Sequence, residues 1–273
     1  MIWAPSALLD RIRKEWDGSQ MCIRDSINFA HGGLMTLGGY AAVISTSMGA
    51  NPWFGVPLAA VFGGIVGLVM ERAVVRSLYS RPLDAILATW GLSIIIGQII
   101  TLIFDRGVHF AEPPIRGVIT LLGESYSTYR LVMVALALLL GLTLTLALRG
   151  TALGLSTRAV IMNEDLAKGL GINSGLVRSI TFTLGSALAA VAGALVTPLT
   201  SVDPNMGIAW LISGFMLVLV SGSSLFSLAV ACVVLGGAQV VVSNYFGSVL
   251  GGMTIAALAA VILRIRPQGF SYE

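Results

Sequence analysis

Long apolar runs separated by short polar intervals dominate the chain. The runs cover roughly 30–48, 53–70, 83–104, 129–148, 178–198, 208–222, 226–243 and 247–263. Most reach the length of about 17 to 25 residues that a helix needs to cross a bilayer core. The sixth run is short, which predicts a broken or tilted helix. Residues 221–227 that follow it are a mixed segment rather than a clear loop, so an odd number of crossings is the competing topology. Stretches such as 131–141 are apolar at every position, whereas a barrel strand would alternate in polarity. In lipid, the helix satisfies every backbone polar group within one segment. The pattern therefore predicts an all-α polytopic membrane protein with about eight transmembrane helices.

Composition agrees. Charged residues make up 11% and hydrophobic residues 56% of the 273 positions, against about 25% charged in a soluble domain. So few charges cannot cover a water-facing surface. The 32 glycines have no collagen period and sit mostly inside the apolar runs. Small residues four apart let transmembrane backbones approach closely, and Gly63 with Gly67, and Ala189 with Gly193, have that spacing. Cys22 and Cys232 form neither a metal motif nor a disulfide framework.

The distribution of charge sets the orientation. With eight crossings, thirteen of the sixteen Lys and Arg residues fall on one side. They are Arg11, Arg13, Lys14 and Arg24; Arg72, Arg76 and Arg81; Arg149, Arg158, Lys168 and Arg178; and Arg264 and Arg266. Arg106, Arg116 and Arg130 fall on the other, with Asp105, Glu112, Glu124 and Asp203. The positive-inside rule then places both termini in the cytoplasm. No charged residue is expected deep in a span, which argues against a proton pump built on a buried carboxylate relay.

The longest inner loop, 149–177, carries a helix signal. Asn163 is a candidate N-cap, Glu164 and Asp165 complement the dipole of the first turn, Lys168 lies near the far end, and Gly171 is a plausible terminator. Leu166 and Leu170, four apart, share one face. Either this short amphipathic helix merely joins two spans or it docks a cytoplasmic motor subunit. The chain itself has no G-x-x-x-x-G-K motif, and neither Lys14 nor Lys168 follows a glycine, so no P-loop ATPase resides here.

Catalytic chemistry is sparse. The only histidines are His31 and His109, and neither H-E-x-x-H nor G-x-S-x-G occurs. No metal site and no catalytic residue is expected. Uncharged polar residues in or at the ends of spans are the better candidates for a solute path: Asn28, His31, Thr36, Thr89, Ser93, Gln98, Ser213 and Gln239. Each needs a partner in hydrocarbon, found either across a helix interface or along such a path. The NFAHGG segment at 28–33 could break a helix and expose backbone groups to a solute, or simply form a helix entry.

At these residues the chain resembles the permease subunits of bacterial ABC importers for branched-chain amino acids, and especially the urea-transport branch. The resemblance rests on INFAHGGLMTLGGYAA at 27–42, RPLDAILATWGLSIII at 81–96, RAVIMNEDLAKGLGIN at 158–173, TFTLGSALAAVAGAL at 181–195 and RPQG at 266–269. It implies one transmembrane permease domain over 27–270, between an atypical polar tail at 1–26 and a short C-terminal tail at 271–273. The coupling loop at 149–177 would receive the ATPase stroke through Asn163, Glu164, Asp165, Leu166, Leu170 and Gly171. The implied setting is a multi-pass protein of the bacterial inner membrane. It would work with a second related permease, two cytoplasmic ATPases that bind ATP and Mg, and a periplasmic solute-binding protein; it would bind no nucleic acid. The 81–96 segment points to urea or a short amide as solute, with branched-chain amino acids as the alternative.

Two departures stand out. Within the polar segment DRIRKEWDGSQMCIRDS at 10–26, the residues DGSQMCIRDS stand where the resemblance implies an apolar first helix. It reads either as an ordinary tail or as foreign sequence replacing that helix. SGSSLFS at 221–227 stands where the resemblance implies a GGxGN-like turn. A passive channel for small neutral solutes, needing no docking helix, is the principal competing function. A scaffold without a path and a membrane enzyme rank below it.

Overall fold

The computed structural model describes residues 28–79, 81–121, 124–222 and 224–265. The segment 10–26, Cys22, RPQG at 266–269 and the tail at 271–273 lie outside the described residues.

Every apolar run is a helix. In chain order these are α1 Ala30–Ser47, α2 Gly55–Ala73, α3 Pro82–Phe104, α4 Thr128–Gly150, α7 Ser174–Thr200, α8 Met206–Ser221, α9 Leu225–Phe246 and α10 Ser248–Ile265. The 149–177 loop carries α5 Ala152–Met162 and α6 Glu164–Gly169. Among the described residues, five stretches are long and apolar enough to cross a membrane: Pro52–Ala73, Leu83–Phe104, Thr128–Gly150, Ser174–Thr200 and Leu225–Phe246. Met206–Ser221 and Val249–Ile265 are shorter apolar helices. The chain is thus an all-α polytopic membrane protein with several apolar spans.

Local chemistry sets the boundaries. Asn51 accepts the Trp53 N–H at 3.1 Å and turns the chain into the single 3-10 turn before α2. Asn173 accepts the Leu176 N–H at 3.1 Å, so α7 begins at Ser174, four residues before its apolar run. Hydropathy alone misses such polar first turns. Between α8 and α9 the mixed segment is a genuine break. Gly222 has a positive φ of 66°, and Ser224 caps α9 through the Ser227 N–H.

Two features differ from the sequence expectation. The 149–177 loop holds a further eleven-residue helix, α5, capped by Thr151, whose hydroxyl accepts the Gly154 N–H. On the opposite side a two-stranded antiparallel hairpin, β1 Val118–Leu121 and β2 Glu124–Ser127, pairs Val118 with Ser127 and Ile119 with Tyr126. The β-branched residues of 118–120 are the local reason for strand.

The packing centre is α1, flanked by α2, α3, α7 and α8. The α2–α7 contact uses the small residues singled out above: Gly63 lies against Ala190 and Ser186, and Gly67 against Ser186. On α7, Gly193 lies on the Met35 carbonyl of α1, and Gly38 of α1 lies on the Ala190 backbone. A Cβ at either glycine would collide with main chain. α8, α9 and α10 form a second cluster around Val220, Ala231, Leu235, Ile255 and Ala259. α4 stands apart. Its Leu138, Leu139, Leu142 and Leu146 are exposed, and it is tied to the bundle by Tyr129, whose hydroxyl donates to the Leu195 carbonyl at 2.7 Å.

Candidate functional site

At one end of the bundle, the start of α1, the end of α2 and the α5–α6–α7 loop come together. There α6 is built as its sequence dictates. Asn163 accepts the Leu166 N–H at 3.0 Å, Lys168 reaches Glu164 at 3.0 Å, and Gly171 closes the helix at φ 83°. Leu166 and Leu170 are 62% and 73% exposed. Met162 and Ile161 at the end of α5 are also exposed, so the loop presents an apolar surface. From behind, Arg178 Nη2 lies 2.5 Å from Glu164 Oε2. Burial would raise the Glu164 pKa, but hydrogen bonds from Lys168 and Ser174, with the charges of Arg178 and Lys168, outweigh it and hold the carboxyl below its usual value.

The same corner contains Glu71, a buried carboxylate near the end of α2, one residue past the apolar run at 53–70. α2 runs through Glu71 to Ala73, and the Glu71 side chain is 1% exposed. Its Oε1 accepts the Tyr79 hydroxyl at 3.0 Å and its Oε2 accepts the Ser179 hydroxyl at 2.8 Å. The Arg178 guanidinium lies 4.7 Å from the Tyr79 ring centroid. The Tyr79 pKa is raised, first by burial and then by its bond to Glu71. The available signal is a carboxylate one residue beyond an apolar run, two residues before the end of the helix at Ala73.

The opposite end is organised by the link between the loops after α3 and α7. His109 and Val202 exchange two backbone hydrogen bonds of 2.9 Å. His109 Nε2 lies 2.8 Å from the Phe104 carbonyl, and its ring packs on Tyr40 and Phe104. Beside this bridge is a cavity of about 210 Å³ lined by Gln98, Thr101, Arg106, Asp203, Pro204 and Asn205. Among the described residues neither Arg106 nor Asp203 forms an ion pair. Asp203 Oδ1 accepts the Asn205 N–H at 2.8 Å. The cavity therefore offers a guanidinium and a carboxylate together.

α8 starts inside the bundle. Its Gly207 touches Gly32, and the Gly207 N–H donates to Thr36 Oγ1 at 3.1 Å. Thr36 lies eleven residues before the end of α1, a rise of about 16 Å. Sixteen residues give α8 a length of about 24 Å, short of the hydrocarbon core at about 30 Å.

The path candidates divide accordingly. Asn28, His31, Thr36 and Ser93 gather around α1: Asn28 Oδ1 accepts the Ala30 N–H, His31 Nδ1 lies 3.1 Å from the Asn28 carbonyl, and Ser93 of α3 abuts Gly33. Thr89 is buried and donates to the Ile86 carbonyl of its own helix. Gln98 lines the cavity. Ser213 donates to the Ala209 carbonyl, and Gln239 is half-buried on α9. These last two are not brought to the α1 group. No group of three metal-ligating side chains occurs among the described residues.

Comparison with known proteins places this architecture. Residues 20–264 match the family described as branched-chain amino acid transport system / permease component. The chain is 27% identical over 261 residues to the high-affinity branched-chain amino acid transport system permease protein LivH of Escherichia coli (strain K12), covering 89% of this chain and 84% of that protein. It is 28% identical over 266 residues to the corresponding permease BraD of Pseudomonas aeruginosa, covering 89% and 85%. It is 26% identical over 232 residues to the autoinducer 2 import system permease protein LsrC of Yersinia enterocolitica, covering 82% and 58%. No solved structure matches it. The chain is a multi-pass membrane protein that belongs to the branched-chain amino acid transport permease family, a family of transport subunits and not of enzymes.

Proposed function

We propose that this chain is one permease subunit of an ATP-driven importer in the bacterial inner membrane and that its solute is a branched-chain amino acid. The family match over residues 20–264 carries the transport reading. The capped helix α6, with Leu166 and Leu170 facing outward, supports docking of a separate ATPase. Two cytoplasmic ATPases would bind ATP and Mg, a related permease would complete the path, and a periplasmic protein would deliver the solute. In this arrangement the chain crosses the membrane eight times with both termini inside. Arg106, Arg116 and Arg130 lie at the outer end, and the remaining described cations at the inner end.

The cavity supports an amino acid over urea. A zwitterion has one cation and one anion, which suit Asp203 and Arg106, whereas urea has neither. The urea expectation from residues 81–96 finds no counterpart in the names of the relatives above. The polar residues around α1 then serve as the inner part of the path, opened and closed by movement of α1 against α3 and α8.

The test is uptake by proteoliposomes containing the full importer, with leucine and urea as competing solutes. Leucine should accumulate in an ATP-dependent manner and urea should not. Replacing Leu166 and Leu170 together with Asp should leave membrane insertion intact while uptake falls to background. Solute flux through this chain alone without ATP would favour a passive channel, and normal coupled uptake in the double variant would sink the docking role.

A further inference from the structure

Glu71 is the one carboxylate that the described fold buries almost completely. A buried charge is costly unless hydrogen bonds replace its water, and here both oxygens accept hydroxyls from different segments. Tyr79 belongs to the short connection between α2 and α3; Ser179 belongs to the second turn of α7. Next to Ser179, Arg178 turns to the other side. Its guanidinium covers the Tyr79 ring and pairs with Glu164 on α6. An unbroken sequence of polar contacts therefore runs from the exposed helix α6, through Arg178, Tyr79 and Ser179, to Glu71 on α2. α2 in turn packs along α7 through glycine contacts that leave no slack.

We propose that Glu71 is a positioning residue that gears displacement of α6 to the α2–α7 pair, so that motion at the docking surface reaches the helices around α1. This rests on the permease reading above. A merely structural Glu71 would hold α2 to α7 and have no bearing on α6. The geometry argues otherwise, because the Tyr79 that Glu71 anchors is also the platform for the Arg178 that holds Glu164. Loss of the anchor frees the platform, and the α6 ion pair loses its orientation.

Glu71→Gln preserves shape and one acceptor oxygen but cannot accept both hydroxyls as the carboxylate does. In the reconstituted importer, this variant is expected to keep ATP hydrolysis while leucine moved per ATP falls about tenfold, the scale of one lost charge-assisted hydrogen bond. Tyr79→Phe and Ser179→Ala each remove one hydroxyl and should give smaller losses in the same ratio. Ser179→Thr retains a hydroxyl and should restore it. A second readout needs no transport. In the purified permease, amide hydrogen exchange across 164–172 should rise about tenfold in Glu71→Gln, although the substituted residue lies on another helix. If the wild-type importer fails to move leucine, the functional reading fails, and the exchange measurement alone decides the relay. Unchanged exchange across 164–172, or a wild-type transport-to-hydrolysis ratio in Glu71→Gln, overturns the proposal. Should Glu71→Gln fail to fold, Tyr79→Phe and Ser179→Ala carry the same two measurements.

Discussion

Two parts of this molecule solve helix association differently. Around α1, helices meet through residues with almost no side chain: Gly38 on Ala190, Gly193 on Met35, Gly207 on Gly32 and Gly67 on Ser186. Among α8, α9 and α10, contact is made by Val220, Leu235 and Ile255 interlocking over Ala231 and Ala259. Lipid tails are as apolar as leucine, so burial from water does not drive either association. The first part depends on backbone approach, helped by bonds such as Gly207 to Thr36. The second depends on filled volume. Added bulk should therefore damage the first, and removed bulk the second.

The largest expected effect is at Gly193. Leu in its place must displace the Met35 carbonyl and the backbone near Gly39, at a cost of about 3 kcal/mol or more. It should show as loss of monodisperse permease in detergent. Leu235→Ala, which opens a void in the second cluster, should cost about 2 to 4 kcal/mol and lower the thermal midpoint without loss of expression. The smallest effect has the opposite sign. Gly237 on α9 has nothing within 4 Å of a built Cβ, so Gly237→Ala should raise stability by about 0.5 to 1 kcal/mol. If Gly193→Leu were as mild as Gly237→Ala, the distinction between the two parts would be lost.

Much of this was legible in the residues. Eight apolar runs gave eight helices, because hydrocarbon leaves the backbone few other ways to satisfy itself. The 63/67 and 189/193 spacings marked helices that do pack closely, with Gly63, Gly67 and Gly193 at the contacts. Asn163, Lys168 and Gly171 spelled out α6 because caps and charge pairs act within a turn. What escaped was set by tertiary contact. Nothing local to Glu71 says that Ser179, 108 residues away, will bond it. Hydropathy stops at residue 70, although the helix continues. That Arg106 and Asp203 line one cavity likewise depends on the His109–Val202 bridge between distant loops. The urea reading rests on one short segment, whereas the relatives matched along nine-tenths of the chain are named for branched-chain amino acid transport.

Every functional statement requires α6 and the cavity to lie on opposite sides of a membrane, with α6 inside. Single cysteines at Asp165 and Val118, both exposed, can be introduced into a chain whose Cys22 and Cys232 are replaced by Ala. Labelling with an impermeant maleimide should reach position 118 from outside intact cells and position 165 only in inverted vesicles. Labelling of both from the same side, or of position 165 from outside, would contradict the account.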